Sequence, residues 1–279
     1  MNSIIPIFNS SLTIMTPVFF AAAGGLIPAL AGTLNIALEG LLLAGAFSSL
    51  TVYNFTGNAF LAVMSAIICA VSLCALHAYA AFKLRANIFI SALAINLLSS
   101  GLCITLSDKI FKTRGVVASM SAPGLLKWYL ISGLLLLAIF TVIIYKTPYG
   151  YRLRACEKNS EALVSLGIKP EFYQITALLI SGVFCGIGGS FLSLNLGAFV
   201  PEMSAGKGWI ALAVIFLGMR KPLGILAAAF IFALAESFSN HAQGFLSIPA
   251  DYILAFPYIC AFFALIIISI FPKNRQNFK

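Results

Sequence analysis

The sequence predicts an all-α fold, a polytopic transmembrane helical bundle of about 8–10 spans, and three observations predict it. Of its 279 residues, 61% are hydrophobic and 9% are charged, against roughly 25% charged in soluble domains. Mean hydropathy is +1.03. Apolar runs of the ~20 residues needed to cross hydrocarbon recur along the whole chain. A soluble fold of this size cannot hide so much apolar surface, because ~55–60% apolar area is already the ordinary exposed level. A soluble enzyme, a disordered regulator and a nucleic-acid-binding domain are thereby excluded.

Candidate spans fall near residues 11–31, 34–54, 58–82, 87–107, 128–145, 172–194, 208–219, 222–238 and 252–271. Each can satisfy its backbone hydrogen bonds internally, as hydrocarbon requires. The seventh is short. Only Gly32-Thr33 separates the first two, so one of that pair is expected to be broken, tilted or re-entrant. No hydrophilic stretch is long enough for a separate domain, and residues 1–279 read as one transmembrane domain with two polar connections, 108–127 and 146–171. The first 20 residues lack the positive flank of a secretory signal and read as mature protein.

The net charge of +9 finds its explanation in the excess of Lys and Arg in cytoplasmic loops, with the lipid bilayer rather than nucleic acid as the partner. Alternate connections carry Lys83 and Arg85, then Lys146, Arg152, Arg154, Lys158 and Lys169, then Arg220 and Lys221, then Lys273, Arg275 and Lys279. That is twelve of the 17 basic residues, which puts the C-terminus in the cytoplasm. Lys109, Lys112, Arg114, Lys127 and Lys207 fall on the opposite side.

Six cysteines lie mostly inside apolar runs without zinc or redox spacing, and read as small buried hydrophobes. His77 and His241 are isolated, so neither a metal site nor a catalytic triad is expected. Most of the 24 Phe are expected to pack or face lipid.

The basic connection 146–171 carries a short helix signal. Asn159 or Ser160 can cap it, Glu161 suits its first turn, Gly167 fits the left-handed C-terminal position and Pro170 stops it. About two turns long, it cannot stand alone in water, and it should present Ala162, Leu163 and Leu166 together, with Arg152 and Arg154 just upstream. Such a helix docks into a partner's groove, or the loop lies on anionic lipid.

Inside the apolar runs, Asn35 and Glu39 sit at i, i+4, and Glu236 and Asn240 repeat the spacing. A carboxylate in hydrocarbon costs upwards of ~2.5 kcal/mol, so these groups face the protein interior or a watery path. They line a translocation pathway, or Glu39 bonds to backbone at a helix break without touching cargo. Ser91, Asn96 and Asn195 are further candidate linings. Gly182, Gly186 and Gly189, with Ser190 and Ser193 nearby, allow close helix packing or expose backbone to a pore.

Glu161-Ala162, with Gly167 six residues after the Glu, resembles the EAA-type coupling loop of ABC importer permeases. Gly150-Tyr151-Arg152-Leu153-Arg154-Ala155 is similar to the version in the branch that includes ribose-type sugar, nucleoside and riboflavin importers. Leu163 stands where the broader signature has a second Ala. Two further segments resemble that branch. One is Gly32-Thr33-Leu34-Asn35-Ile36-Ala37-Leu38-Glu39-Gly40, continuing to Gly45-Ala46-Phe47. The other is Gly208-Trp209-Ile210-Ala211-Leu212-Ala213, continuing through Leu217-Gly218 to Pro222-Leu223-Gly224.

The resemblance implies a permease that moves a nucleoside or simple sugar by alternating access, with riboflavin as the other cargo. It implies a second permease, identical or related, an extracytoplasmic binding protein, and cytoplasmic ATPase subunits that bind ATP-Mg and engage residues 159–167. This chain itself has no G-x-x-x-x-G-K-[ST] loop to cradle phosphates, so no cofactor and no enzyme activity are expected of it. Lys109, Lys112 and Arg114 are candidates for docking acidic residues of the binding protein. From outside the family, a stand-alone secondary transporter or channel would have to build its ion site from Glu39 and Glu236, and a plain membrane anchor would leave the polar mid-membrane residues unused.

Overall fold

The computed structural model describes residues 4–119 and 124–243 and, beyond them, Ile259 and Ile266. Apart from those two residues, the expected span at 252–271 lies outside the described residues, as do Cys260 and the basic residues 273–279.

Six helices among the described residues are long and apolar enough to cross a membrane. They are α1 (Ile4–Leu30), α3 (Ala59–Ala78) with the π-helical turn Tyr79–Lys83 that extends it, α4 (Ile88–Phe111), α5 (Leu125–Lys146), α8 (Pro170–Leu196) and α10 (Pro222–Ala242). Between them lie α2 (Leu38–Thr56), the surface helices α6 (Pro148–Lys158) and α7 (Ser160–Ser165), and the short α9 (Lys207–Leu217). The two short strands, β1 (Val117–Ala118) and β2 (Ala198–Phe199), pair antiparallel.

Local chemistry sets the boundaries. Asn58 and Asn87 accept from the first free N–H groups of α3 and α4, as N-caps do. Pro148, Pro170 and Pro222 open α6, α8 and α10, where a missing N–H costs nothing.

Burial divides the spans into two classes. The apolar windows of α1 and α8 are 83% and 61% buried, whereas those of α3, α4 and α5 are 22–28% buried. So α1 and α8, with the enclosed α2, form the centre, and α3 to α5 present Ile68, Leu97, Trp128 and Leu135 outward. Small residues permit the central contacts. A Cβ on Gly186 would stand 2.7 Å from Ile67 Cα and one on Gly182 3.0 Å from Val71 Cα, while Gly189 presses on the α2 backbone at Leu42 and Ala46. Gly182 and Gly186 therefore face α3, and Gly189 faces α2.

The bundle has a basic end and a far end. At the basic end, the α6 backbone at Glu157 meets Gly32 just after α1, Gln174 of α8 donates to the Ala31 carbonyl, and Arg220 pairs with Glu157. Because α3 runs antiparallel to α8 through the glycine contacts, Lys83 and Arg85 reach that end too. At the far end Phe55 stacks on Phe111, β1 pairs with β2, and Ser237 of α10 donates to the Ile7 carbonyl.

The break expected at Gly32-Thr33 and the short seventh span are both present. α1 stops at Leu30, the chain turns through Gly32 at φ +77°, and residues 31–37 re-enter the bundle before α2 begins. The helix α9 has 11 residues, a rise of about 16 Å, roughly half of a ~30 Å hydrocarbon core. It starts inside the bundle and ends at the basic end.

Candidate functional site

Residues 31–40 carry polar groups into the centre of the bundle. Asn35 was expected one helical turn before Glu39 on a shared face, but it precedes the helix. Its Oδ1 accepts from Ala37 N–H at 3.0 Å, the local turn that asparagine side chains favour over helix. Its Nδ2 donates to Ser181 Oγ at 3.0 Å. Ser181 lies 11 residues into α8, so Asn35 sits about 16 Å inside from the start of that helix.

The first turn of α2 has no side-chain cap of its own. Asn96 of α4 supplies one from across the bundle. Its Oδ1 accepts from Gly40 N–H at 2.8 Å, and its Nδ2 donates to the Ile36 carbonyl at 3.1 Å. The amide thus bonds the broken backbone on both sides, as hydrocarbon demands of any interrupted helix.

Glu39 does the same for α9. Its Oε1 accepts from Gly206 N–H at 2.8 Å and its Oε2 from Gly208 N–H at 2.7 Å. The α2 helix runs from this point toward the far end and α9 toward the basic end, so two helix N-termini meet at one carboxylate. Both helix dipoles favour negative charge there. Gly206 takes φ +81° and Ala205 φ +46°, which turns the preceding strand-side loop into α9.

Sequence reasoning named Asn35, Glu39 and Asn96, and the structure brings the three together around one break. It missed the partners Ser181 and Gly206, and His77, expected to be isolated, meets Ser91. Ser91 Oγ lies 2.9 Å from His77 Nδ1. The two residues line a cavity of about 330 Å³ between α3 and α4 with Leu76, Ala80, Ala94, Ile95 and Leu98. Asn195 is exposed at the far end of α8. Glu236, partly buried on α10, leaves one buried carboxylate oxygen without a hydrogen bond among the described residues. Lys207 stands at the start of α9 rather than in an outer loop.

On the basic surface, Asn159 ends α6 and caps α7, accepting from Ala162 N–H at 3.1 Å. Gly167 adopts φ +74°. The expectation that Ala162, Leu163 and Leu166 form one outward face needs correction. Leu163 is 5% exposed and packs into the core, while Leu166 is 74% exposed. Leu166 is the C-cap of α7, where the helix has ended, and Leu163 points inward because it anchors so short a helix. Glu161, Ala162, Val164 and Leu166 make up the outer surface. Arg152 and Arg154 bond within the chain: Arg152 donates to Tyr173 Oη at 3.2 Å, and Arg154 lies 4.9 Å from the Tyr145 ring centre. Burial raises the Cys156 thiol and the Tyr149 phenol above their ordinary values, with weaker opposing hydrogen bonds.

At the far end Lys109, Lys112 and Arg114 are all exposed, and Arg114 pairs with Asp108 at 3.0 Å.

Known proteins resemble this chain in sequence and in fold. The chain is 30% identical to the guanosine ABC transporter permease protein NupQ of Bacillus subtilis, covering 93% of this chain and 90% of that one. It is 27% identical to the nucleoside ABC transporter permease protein NupC of Lactococcus lactis, covering 97% and 93%. A solved ABC transporter in an inward-facing conformation superposes over 94% of this chain and 85% of its own, with a TM-score of 0.55 at 14% identity, which speaks for the fold alone. The profile of the branched-chain amino acid transport system / permease component family matches residues 7–268. The chain belongs to that family and is a membrane-spanning permease subunit of an ABC transport system.

Proposed function

We propose that this chain is one permease of a nucleoside importer in a bacterial cytoplasmic membrane. It moves cargo by alternating access, driven by a separate ATPase that engages α7. The cargo reading rests on the two relatives named for guanosine and nucleoside transport. The ATPase reading rests on the built geometry of α7: capped by Asn159, anchored by Leu163 and bare on Glu161, Ala162, Val164 and Leu166. A simple sugar is the second cargo of the same reading.

The basic end faces the cytoplasm in this proposal, since Lys83, Arg85, Lys146, Arg152, Arg154, Lys158, Lys169, Arg220 and Lys221 gather there. A second permease completes the pathway, and an extracytoplasmic binding protein delivers cargo at the far end. Asn35, Glu39 and Asn96 act by holding two helix breaks in register. The pathway then changes shape where those breaks meet.

The test is gentle co-purification of the tagged chain from its native membrane, followed by ATP hydrolysis and tritiated guanosine uptake in proteoliposomes. An ATPase subunit and a second permease should be recovered, and Glu161→Arg should abolish most of the hydrolysis coupled to uptake. Recovery of the chain alone, with guanosine uptake driven by an ion gradient, would reject the proposal in favour of a stand-alone transporter.

A further inference from the structure

We infer that Glu157 and Arg220 are positioning residues that carry the movement of α6 and α7 into the paired helix break. The inference rests on the proposal that an ATPase engages α7. Arg220 lies in the tight turn between α9 and α10, where it and Met219 both take left-handed backbone angles, φ +55° and +53°. Non-glycine residues adopt that region only under constraint. The Arg220 guanidinium bonds two other elements at once. Nη1 donates to Glu157 Oε1 at 2.5 Å, and Nη2 donates to the Ala29 carbonyl in the last turn of α1. The two side chains are only 20% and 35% exposed, so solvent screens them less than an ordinary surface pair.

The connections on either side of this pair leave little slack. Glu157 is in the last turn of α6, and Asn159 alone separates α6 from α7, serving both as cap. A shift of α7 therefore reaches Glu157 directly. The Glu157 backbone also presses on Gly32, where the chain turns back into the bundle. From Arg220, α9 runs as a rigid rod of about 16 Å to Gly208 and Gly206, whose N–H groups are held by Glu39. Glu39 belongs to α2, whose first turn is held by Asn96. Thus one guanidinium joins the α7 side of the protein to both half-membrane elements, the α1–α2 re-entrant turn and α9. A salt bridge kept only for stability would not need to gather three elements at the root of the moving helix.

The test uses the complete complex, with its ATPase, second permease and binding protein, in proteoliposomes. Two quantities are read: tritiated guanosine delivered per phosphate released, and stimulation of hydrolysis by the binding protein. Glu157→Gln and Arg220→Gln should leave unstimulated hydrolysis near the wild-type rate. Each should lower both coupling ratios about fivefold or more, the scale of a typical coupling between distant sites. Arg220→Lys, which keeps a cation beside Glu157 and an N–H donor toward Ala29, should recover part of the loss. Should Arg220→Gln fail to assemble, Glu157→Gln decides alone, since it keeps the side chain's shape at a partly exposed position. Wild-type coupling in the Gln variants, or Arg220→Lys no better than Arg220→Gln, would overturn the inference while leaving the importer reading intact. A wild-type complex without ATP hydrolysis would remove that reading and the inference with it.

Discussion

Gly208 donates its backbone N–H to Glu39 Oε2 at 2.7 Å, and its own α-carbon lies so close to the Glu39 backbone that no side chain fits between them. One pair of residues thus makes both a hydrogen bond and a steric lock between α9 and α2. Alanine at 208 would drive a methyl group into the Glu39 backbone, which cannot retreat as a flexible side chain would. Gly208→Ala should therefore prevent stable accumulation of the protein. Gly101, with open space around its α-carbon, provides the control: Gly101→Ala should express at the normal level. Expression and gel-filtration profiles of the two variants check the contrast.

Glu39→Gln removes charge and keeps volume. A glutamine offers one carbonyl oxygen, so one of the two N–H groups of Gly206 and Gly208 faces an NH₂ and loses its acceptor. A hydrogen bond to a charged group is worth roughly 1.5–3 kcal/mol, and a buried donor without a partner costs about as much again. The variant should assemble, melt at a lower temperature in detergent, and transport poorly. Uptake at the wild-type rate with a normal amount of protein in the membrane would reject a role for this carboxylate in transport.

Asn96 tests the other half of the break. Leucine in its place leaves Gly40 N–H and the Ile36 carbonyl without partners in an apolar interior, at ~1–3 kcal/mol each. Aspartate restores the acceptor for Gly40 but lacks the donor for Ile36. The expected order of thermal stability is wild type, then Asn96→Asp, then Asn96→Leu, read from melting curves of the purified chain. Equal melting of all three would mean that the break is held by backbone alone.

Much of this was legible in the residues. Gly32-Thr33 interrupts an apolar run, and Asn35, Glu39 and Asn96 are polar groups that hydrocarbon tolerates only with partners. So the sequence announces a break and its polar neighbours. It does not announce that Asn35 leaves the helix, because i, i+4 spacing is equally consistent with a continuous helix. Nor does it say that Glu39 reaches Gly206 and Gly208, more than 160 residues away. That pairing depends on where two helices start in space. The same holds for Arg220 and Glu157, which read as ordinary loop charges until α6 and the α9–α10 turn are brought together. Leu163 was placed on the outer face of α7 because a short helix pattern records spacing and not which side has a core to enter.

The basic surface gives a pH dependence with a definite sign. Burial raises the Cys156 thiol above 9.0 and the Tyr149 phenol above 10.0, so the native state holds these protons longer than the unfolded chain. Their contribution to stability is complete below about pH 9 and is lost as pH climbs through the native values. Melting temperature should fall from pH 9 upward, and the fall should be shallower in the variant carrying Cys156→Ala and Tyr149→Phe. Identical slopes in wild type and variant would show that these two protons are not linked to unfolding.

At the far end, the charge trio expected to dock a binding protein is reduced by Asp108, which already neutralises Arg114 at 3.0 Å. Lys109 and Lys112 remain exposed and make no ion pair among the described residues. If electrostatic complementarity steers the encounter, these two lysines act mainly on its rate and its salt dependence, since exposed charges contribute little once docked. Lys109→Glu with Lys112→Glu should therefore weaken stimulation of hydrolysis by the binding protein severalfold at low salt and flatten its salt dependence. Replacing the balanced pair by neutral groups, Arg114→Gln with Asp108→Asn, should do less than the double lysine variant, because it leaves the net charge unchanged. Stopped-flow association rates between reconstituted complex and binding protein at 20 and 200 mM salt, on the order of a threefold change in screening length, separate the cases. An unchanged rate in the double lysine variant would assign the docking surface elsewhere on the far end.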